Sequence, residues 1–436
     1  MKEIGVGLLG FGTIGAGVVK LMGKNASLIE EKLGVRLRLR KVADLDITTD
    51  RGVPVEPGIL TRNADEVLND PKISVIIELI GGYKTAKDFI LKAIENGKHI
   101  VTANKALLAV HGEEIYAAAA RKRVEVRYEA AVGGGIPVLS AIKGNMAANH
   151  FGTVLGILNG TCNYILTRMT QEGADFADVL KNAQELGYAE ADPTFDVEGV
   201  DTAHKLAILV SLCFGTRVDF KDIYTEGISA ISSIDINYAK EFGFKIKLLA
   251  IGKMDGDRVE ARVHPTMIPH NYPMADVDGV FNAVRLTGDF VDTVMFYGRG
   301  AGMDPTASAI VGDVMAIARN LTAGIGRRSA PLGYLDNRLK NLEIKPIGEI
   351  LGKYYLRFSV LDKPGVLARI TGVLGKFNIS IESMIQSARM AGETVPIVIM
   401  THEALEKDIR QALEEIDCLD VIREKSRLVR IEDSLQ

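Results

Sequence analysis

The chain has 436 residues, of which 47% are hydrophobic and 25% charged, and its formal net charge is −4. These values indicate a globular protein of two to four domains. The absence of basic runs argues against nucleic-acid binding, and the lack of long apolar stretches argues against a membrane span or signal peptide. Three widely spaced cysteines, Cys162, Cys213 and Cys418, favour a cytoplasmic protein with reduced thiols over a disulfide framework or a zinc site.

Residues 1–130 alternate short apolar runs with helical patterns. Strands are predicted at IGVGLLG, LRLRKVAD, SVIIELI, HIVTA and VEVRYEAA, and helices at 13–33, 64–69, 84–96 and 105–122. Strands that alternate with helices are typical of βαβ units. We therefore expect an α/β domain with a parallel sheet.

Residues 131–305 show helices and strands that are segregated along the chain. Helices are predicted at 137–144, 162–172, 175–186 and 199–214, and strands at FKIKLLAIGKM, RVEARVHPTMI, NAVRLTGD and DTVMFYG. This order is typical of an α+β domain with an antiparallel or mixed sheet. A helix over 304–322 follows, with Asp304 predicted as its N-cap and Pro305 as its first residue.

The remaining residues divide into a linker and a compact C-terminal pattern. Residues 325–350 have turn residues and weak periodicity, which indicates a linker. Beyond it, strands are predicted at YYLRFSVL, ISIESMIQS, TVPIVIMTH and DVIREKSRLVRI, and helices at 366–376 and 404–416. The order βαββαβ is that of a ferredoxin-like fold.

A glycine motif follows the first predicted strand. In GLLGFGTIGAGV, Gly10, Gly12 and Gly15 form the pattern GxGxxG at the start of a helix. The first glycine permits a tight turn, the second lets backbone amides approach a pyrophosphate, and the third allows close packing of helix on strand. Because the motif lies within a βαβ unit, it predicts a dinucleotide-binding site.

Charged residues surround the end of the second predicted strand, where the ribose of a dinucleotide is usually recognised. Asp44 would suit a free 2′-hydroxyl and so NAD. Arg40 and Arg51 are close enough in sequence to accept the 2′-phosphate of NADP instead. In the alternative interpretation these charged side chains only face solvent at the end of a strand. The choice between NAD and NADP stays open.

Two lysines are candidates for chemistry. Lys105 follows the strand HIVTA, at the sheet edge where ligands bind, although a surface lysine at a helix start is the alternative. Lys205 lies four residues after Asp201 in a helix that is apolar on almost every side. Burial would lower the pKa of such a lysine and nearby carboxylates would raise it, so that it can exchange a proton near neutral pH. A surface ion pair, worth about 0–1 kcal/mol, is the alternative.

A run of glycines, GGGIP at 133–137, follows Glu129. Clustered glycines expose backbone carbonyls, and a carboxylate beside them can complete a site of oxygen ligands for a hard cation. These residues by themselves favour a hinge over a metal site.

Six segments together resemble homoserine dehydrogenase with a C-terminal ACT domain. They are GFGTIG, VTANKALLA, EAAVGGGIPV, LGILNGTCNYI, ELGYAEADPTFDVEGVDTAHKLAIL and GRGAGMDPTASAIVGD. The resemblance extends over essentially the whole chain. It implies a Rossmann domain at 1–130 completed by the helix at 304–322, a catalytic and dimerisation domain at 131–305, a linker at 325–350 and an ACT domain at 351–436.

The resemblance also implies a reaction and a set of residues. The reaction is the interconversion of L-homoserine and L-aspartate 4-semialdehyde with NAD or NADP, on the route to threonine and methionine. Lys205 would donate a proton to the aldehyde oxygen, with Lys105 and Asp201 beside it. The implied ligand-binding residues are, for substrate, Glu190, Asp196, Asp201, Gly160 and Thr161; for cofactor, Gly10, Phe11, Gly12, Thr13, Ile14, Gly15, Ala43, Asp44, Lys105, Gly187 and Gly302; and for a sodium ion, Glu129 with the carbonyls of Val132, Gly134 and Ile136.

The C-terminal segment LDKPGVLARITGVLGKFNISIESMIQ resembles an ACT domain, with its loop at Gly365 and its turn at Asn378. Such domains bind amino acids between copies, so the resemblance implies threonine feedback and a homodimer or homotetramer; a dimerisation module is the alternative.

Family members that use NADP often carry an arginine where this chain has Ala43 and Asp44. The rival functions are a non-catalytic amino-acid and dinucleotide sensor, or another Rossmann amino-acid dehydrogenase.

Overall fold

The computed structural model describes residues 2–386 and 394–433. The chain forms two compact units, one made of Met1–Gly160, Asp201–Asp222 and Phe281–Leu342, the other of Thr161–Val200, Ile223–Val280 and Glu343–Gln436. The last residue of one predicted strand, Ser387, and the predicted domain end at 434–436 lie outside the described residues. None of the described helices combines the length and apolarity needed to cross a membrane.

The helices and strands follow one another along the chain in three stretches. The first holds β1 (Glu3–Leu9), α1 (Thr13–Lys24), α2 (Ala26–Leu33), β2 (Arg36–Ala43), β3 (Leu60–Thr61), α3 (Ala64–Leu68), β4 (Ile73–Glu78), α4 (Lys84–Glu95), β5 (His99–Thr102), α5 (Lys105–Lys122), β6 (Val126–Arg127), α6 (Val138–Lys143) and β7 (Phe151–Ile157). The second holds α7 (Gly160–Glu172), α8 (Phe176–Glu185), α9 (Thr194–Val197), α10 (Val200–Phe214), β8 (Tyr224–Thr225), α11 (Ser233–Glu241), β9 (Phe244–Asp255), β10 (Arg258–Pro269), β11 (Phe281–Gly288), β12 (Asp292–Arg299) and α12 (Met303–Thr322). The third holds β13 (Glu343–Ile344), β14 (Leu351–Leu361), α13 (Val366–Lys376), β15 (Ile381–Gln386), β16 (Thr394–Thr401), β17 (Ala404–Leu405), α14 (Glu406–Asp417) and β18 (Ile422–Ile431).

The first unit is built on a parallel sheet with the strand order β3-β2-β1-β4-β5-β6. The order reverses between β1 and β4, and in such sheets ligands bind at the carboxyl ends of the strands beside this point. Val6 of β1 packs in one buried cluster with Val18 of α1 and with Ile310 and Val314 of α12. The predicted α/β class is confirmed.

Three further strands of the first unit pair antiparallel, β7 with β11 and β11 with β12. Sequence analysis did not predict β7, because its seven residues FGTVLGI include two glycines that interrupt the apolar run. The strand matters for the site, since Leu158 and Asn159 follow it directly.

The second unit joins a long hairpin to the ferredoxin-like tail. Strands β9 and β10 pair antiparallel over their full length, and β10 pairs in parallel with β18. The tail sheet has the order β18-β14-β16-β15, and Phe358, Ile370, Ile399 and Ile409 lie in its core. The βαββαβ order predicted for the tail is confirmed.

Several local predictions are wrong. The single helix predicted at 13–33 is two helices, because Asn25 leaves helical geometry at φ −105° and ψ 20°. Asp304 is not the N-cap of α12; Gly302 precedes the helix with φ 113°, and Asp304 pairs with Lys20 at 3.0 Å. Of VEVRYEAA only Val126–Arg127 is strand, since a 3-10 turn follows over 129–131.

The linker and one tail helix also differ from prediction. Residues 325–350 include β13, which pairs with β10 at Arg258 and Val259. The helix predicted at 404–416 begins at Glu406, because Ala404 and Leu405 pair with β14 as the short strand β17.

Candidate active site

The glycine loop has the geometry that a dinucleotide requires. Gly10 adopts φ +97°, and a Cβ at this position would lie 2.6 Å from the Leu79 carbonyl oxygen. A Cβ on Gly15 would lie 2.3 Å from the Gly10 carbonyl oxygen, whereas one on Gly12 would meet nothing within 4 Å. Two glycines thus permit the turn and the helix packing, and Gly12 faces open space. No side chain caps α1, so its first backbone N–H groups are suited to an anionic ligand.

Asp44 is held against this loop. Its Oδ2 accepts a hydrogen bond from the Phe11 amide at 2.5 Å, and the Gly10 amide donates to the Ala43 carbonyl at 2.9 Å. Phe11 and Ala43 are buried, while Thr13 is exposed and Ile14 is half-buried. The structure therefore brings the predicted loop and the end of β2 together.

The two arginines considered for a 2′-phosphate occupy different surroundings. Arg40 pairs with Glu3 on the neighbouring strand at 2.7 Å. Arg51 pairs with Asp46 at 3.1 Å, two residues beyond Asp44. Arg51 is thus the arginine placed next to the acidic end of β2.

A buried carboxyl at the end of β4 fixes the start of α5. Glu78 accepts a hydrogen bond from the Thr102 hydroxyl at 2.6 Å, and the Thr102 oxygen accepts one from the Asn104 amide at 3.0 Å. Asn104 caps α5 by accepting a hydrogen bond from Leu107 at 3.0 Å. Burial raises the pKa of Glu78. Sequence analysis did not select Glu78 or Thr102, although polar residues at the ends of apolar strands were a usable signal.

Lys205 is buried, with 8% of its surface exposed, so the surface-pair interpretation is wrong. Its Nζ lies 2.6 Å from Oδ2 of Asp201 and donates to the Leu158 carbonyl at 2.6 Å. The i, i+4 spacing in α10 supplies the first contact, and the end of β7 supplies the second. The Lys205 ammonium group is thus buried on a largely apolar helix because two oxygen acceptors compensate its charge.

Asp201 connects this lysine to the other one. Its Oδ1 lies 3.0 Å from Nζ of Lys105, and its Oδ2 accepts a hydrogen bond from Asn159 at 2.9 Å. We call Lys105, Asn159, Asp201 and Lys205 the lysine cluster. Sequence analysis missed Asn159 and Leu158, which lie 42 and 47 residues before their partners in α10.

The lysine cluster carries a net positive charge when both lysines are protonated. Burial by itself would raise the pKa of Asp201, but the charges of Lys205 and Lys105 and the hydrogen bonds to the carboxylate hold its pKa well below the ordinary value. One carboxylate thus faces two ammonium groups. Such an arrangement stabilises negative charge that develops on a substrate oxygen, and the partly exposed Lys105 gives access to it.

Glu129 lies in a second polar site of the first unit. Its carboxylate accepts hydrogen bonds from the amides of Leu139 at 2.8 Å and Ser140 at 2.7 Å, and its own amide donates to Asp313 at 2.8 Å. Burial and the charge of Asp313 raise the pKa of Glu129 to about 7. The buried carboxyl groups of Glu129 and Asp313 destabilise each other's charged form. The positive charge of Lys143 offsets part of this effect.

Three backbone carbonyls, of Val132, Gly134 and Ile136, follow Glu129 closely in sequence. Val132, Gly134 and Ile136 are buried, and Gly134 has φ +53°. Within the described ranges no donor is hydrogen-bonded to the carbonyls of Val132 and Gly134, whereas the Ile136 carbonyl accepts from Val138 at 2.8 Å. Residues 2–386 and 394–433 contain no group of three or more metal-binding side chains, so a cation here would depend on backbone oxygens.

The other residues implied by resemblance are distributed over both units. In the first, Gly160 begins α7 and Gly302 precedes α12. In the second, the Thr161 hydroxyl donates to the Tyr188 carbonyl at 2.6 Å. Also in the second, Gly187 has φ +73°, Glu190 is exposed and Asp196 is half-buried.

Comparison with known families gives three matches along the chain. The model of the homoserine dehydrogenase NAD-binding domain matches residues 10–129, and that of homoserine dehydrogenase matches residues 137–315. The ACT domain model matches residues 354–417. These ranges contain the glycine loop, the lysine cluster and most of the ferredoxin-like tail.

Individual proteins are similar over the full length. A homoserine dehydrogenase of Neisseria gonorrhoeae is 44% identical, with 99% of each chain covered, and one of Pseudomonas aeruginosa is 43% identical with the same coverage. The crystal structure of a homoserine dehydrogenase from Thiobacillus denitrificans superimposes with a TM-score of 0.94 at 44% identity, again covering 99% of each chain.

Proposed function

Because the chain belongs to the homoserine dehydrogenase family, we propose that it interconverts L-homoserine and L-aspartate 4-semialdehyde with Lys205 as the proton donor. The family makes the chain an NAD(P)-dependent oxidoreductase with a C-terminal ACT domain. The observation that carries the proposal is the lysine cluster, in which Asp201 lies between the Nζ atoms of Lys105 and Lys205.

Proton transfer is the chemistry assigned to Lys205. The nicotinamide cofactor, when bound, exchanges a hydride with the carbonyl carbon of the substrate. As negative charge develops on the aldehyde oxygen, Lys205 gives a proton from Nζ to that oxygen, and in homoserine oxidation it takes the proton back. Leu158 and Asp201 hold Nζ in place, which reduces the entropy lost on reaching the reactive geometry.

Asp201 acts mainly by positioning the two lysines. Both of its carboxylate oxygens already contact ammonium groups, so it fixes Lys205 from one side and Lys105 from the other. We assign Lys105 to the cofactor and substrate side, in line with its greater exposure. Binding of the substrate ammonium through Glu190 and Asp196, with Gly160, Thr161 and Asp201 nearby, stays a prediction.

The first unit supplies a fitting site for the cofactor. Gly12 leaves open space at the start of α1, and Gly10 and Gly15 permit the tight turn. Asp44 favours NAD, whereas Arg51 offers a cation to the 2′-phosphate of NADP. Contacts of Thr13, Ile14, Gly187 and Gly302 with the cofactor stay predictions.

We assign a sodium ion to the loop after Glu129. The support is chemical: two buried carbonyls, of Val132 and Gly134, follow Glu129 by three and five residues and accept no backbone hydrogen bond among the described residues. Hard monovalent and divalent cations take such oxygen ligands. The Ile136 carbonyl would join them, and the ion would stabilise the loop structurally rather than take part in proton transfer.

Regulation and assembly complete the proposal. An ACT domain supports control by an amino acid, and we propose threonine as that effector. A homodimer or homotetramer, a cytoplasmic location and a place on the route to threonine and methionine stay predictions from the sequence.

Steady-state oxidation of L-homoserine with NAD and with NADP, each with and without L-threonine, tests the proposal. We expect turnover with at least one cofactor and inhibition by threonine. Absence of oxidation with both cofactors would favour a non-catalytic sensor, and turnover with a different hydroxy or amino acid in a substrate panel would favour another dehydrogenase. Turnover without threonine inhibition would restrict the ACT domain to assembly.

A further inference from the structure

Glu78 is a fully buried carboxyl group at the point where the parallel sheet reverses its strand order. It is the last residue of β4, and its backbone pairs with Leu9 of β1 on one side and with Thr102 of β5 on the other. Its relative exposure is 0%. The five residues before it, ISVII, are apolar except for one serine, so an apolar residue would be the ordinary choice at this position.

Burial of a carboxyl group has a cost that its surroundings must offset. Removal from water raises the pKa of Glu78, and three donors act in the opposite direction: the Thr102 hydroxyl and the backbone amides of Ile80 and Gly81. A buried polar group that is fully hydrogen-bonded adds little net stability, but it fixes the geometry of its partners. The effect of Glu78 is therefore expected in the positions of these three partners.

The first partner segment is the turn that follows β4. Oε1 of Glu78 accepts hydrogen bonds from the amides of Ile80 at 2.8 Å and Gly81 at 3.3 Å. Gly81 and Gly82 have φ of 79° and 69°, in the left-handed region that favours glycine. Because two consecutive glycines have many accessible conformations, the two hydrogen bonds to one carboxylate oxygen select a single turn.

The second partner segment is the start of α5. Oε2 of Glu78 accepts from the Thr102 hydroxyl at 2.6 Å, and the Thr102 oxygen accepts from the Asn104 amide at 3.0 Å. The side chain of Asn104 caps α5 and donates from Nδ2 to the Gly82 carbonyl at 2.8 Å. These contacts close a ring through both segments, the Glu78 ring, which consists of Glu78, Ile80, Gly81, Gly82, Thr102 and Asn104.

Lys105 is the residue whose position follows from the Glu78 ring. It is the first residue of α5, directly after Asn104, and its Nζ lies 3.0 Å from Oδ1 of Asp201. A displacement of about 1 Å in a group that takes part in a reaction can lower the rate about 10²-fold. The backbone at the start of α5 must therefore be held in place for Nζ of Lys105 to meet its partners.

We propose that Glu78 is a positioning residue for Lys105 in the reaction and acts through Thr102 and Asn104. The hydrogen bonds of Glu78 lead to the two turns, so its effect on turnover passes through the start of α5. The inference rests on the proposed function, because the role of Lys105 is part of it. It differs from a purely structural role in one respect: loss of the Glu78 ring should lower turnover only while Lys105 is present.

A double-mutant cycle on the full chain tests the proposal. Glu78→Leu removes all three hydrogen bonds at similar side-chain volume, and Thr102→Val removes only those of the hydroxyl. Each is combined with Lys105→Met, and kcat/KM for homoserine oxidation is measured with and without that change. Glu78→Gln is the conservative variant, since its oxygen can accept from the two amides and its NH₂ group can donate to the Thr102 oxygen.

Lys98→Met is the matched control from the opposite end of the same strands. Lys98 is 4% exposed, and its Nζ donates to the carbonyls of Asp70 at 2.6 Å and Ile73 at 2.7 Å, beside the amino ends of β4 and β5. Its replacement removes buried hydrogen bonds from the same sheet and leaves the Glu78 ring intact. It should lower Tm and keep kcat/KM within about twofold of the wild type.

We expect Glu78→Leu and Thr102→Val to lower kcat/KM by roughly tenfold or more when Lys105 is present. In the Lys105→Met background the same changes should lower it less than about twofold, and Glu78→Gln alone should stay within about threefold of the wild type. Hydrogen exchange of the Leu107 amide, which donates to the Asn104 cap, should accelerate in Glu78→Leu and Thr102→Val but not in Lys98→Met.

Three kinetic outcomes would overturn the proposal. Equal fold losses with and without Lys105 would reduce Glu78 to a general structural role. Unchanged kcat/KM in Glu78→Leu and Thr102→Val would remove Glu78 from the reaction, and equal losses in Glu78→Gln and Glu78→Leu would contradict positioning by hydrogen bonds. Thr102→Val, the smaller change, decides the case if Glu78→Leu does not fold.

Failure of the proposed function has a different signature. Absence of homoserine oxidation by the wild type would reject that function, whereas the exchange of the Leu107 amide reports on the Glu78 ring without any turnover. Unchanged exchange in Glu78→Leu and Thr102→Val would show that Glu78 does not fix the start of α5 and would overturn the inference by itself.

Discussion

The Asp201→Asn substitution removes one negative charge from between Lys105 and Lys205 and keeps the size of the side chain. Asp201 is 3% exposed, and its two oxygens lie 2.6 Å and 3.0 Å from the two ammonium groups. Removal of one partner of a buried ion pair costs about 3–5 kcal/mol, because the remaining charge stays buried without compensation. Water compensates the partly exposed Lys105, so we expect a loss of about 3 kcal/mol in the free energy of unfolding.

Differential scanning calorimetry measures this loss as a change in Tm. With about 2–4 °C per kcal/mol for a unit of this size, the transition of the first unit should fall by about 6–12 °C at pH 7. The matched control is Asp304→Asn, whose exposed pair with Lys20 also spans 3.0 Å. An exposed pair is worth about 0–1 kcal/mol. Equal decreases in the two variants would refute the reasoning that Asp201 compensates buried lysines.

The same measurement has a defined pH dependence. The unfolded chain protonates Asp201 near its ordinary pKa of about 3.9, whereas the folded chain holds the pKa of this carboxyl well below that value. The unfolded state therefore binds the proton first as the pH falls, and the stability contributed by the charged carboxylate decreases. The difference in Tm between wild type and Asp201→Asn should be complete above about pH 5 and shrink below pH 4.

Three further substitutions test the remaining parts of the site. Gly15→Ala places a Cβ 2.3 Å from the Gly10 carbonyl oxygen and should weaken NAD(P)H binding at least about tenfold in a fluorescence titration; Gly12→Ala meets no protein atom within 4 Å but fills the space beside the pyrophosphate, so it should also weaken binding while leaving Tm unchanged. Glu129→Gln should abolish a rise in Tm that sodium chloride produces relative to choline chloride, and equal effects of the two salts on the wild type would contradict a sodium site. Lys105→Met should lower kcat/KM for homoserine by roughly 10²-fold or more, and an unchanged value would remove Lys105 from the site.

The parts of the site that follow from local sequence were predictable. The GxGxxG spacing specifies backbone turns within six residues, and Gly10 and Gly15 lie where a Cβ would clash. The i, i+4 spacing in an apolar helix likewise predicted a buried Lys205 beside Asp201, as the structure has it.

Contacts between distant segments were not predictable in the same way. The Leu158 carbonyl and the Asn159 amide reach α10 because β7 ends beside it, and sequence analysis did not recognise that strand. The contact between Lys105 and Asp201 depends on how α5 and α10 approach each other, which no local pattern encodes.

The predictions of helix ends were wrong for a different reason. Asn25 and Asp304 are both good capping residues, but the backbone at Asn25 divides a predicted helix, and α12 already begins at Met303, before Asp304. The preference of a residue type for a helix end is weak, and tertiary contacts can override it. The Asp304 side chain forms an ion pair with Lys20 and does not cap α12.

Turnover of Lys205→Ala, with rescue by small amines, tests the central claim that Lys205 transfers the proton. We predict that kcat for homoserine oxidation falls by about 10²–10⁴-fold while NAD(P)H affinity stays within about twofold. Added methylamine should restore part of the activity, and tetramethylammonium, a cation without a transferable proton, should not. A kcat close to that of the wild type, or equal rescue by the two cations, would contradict the account.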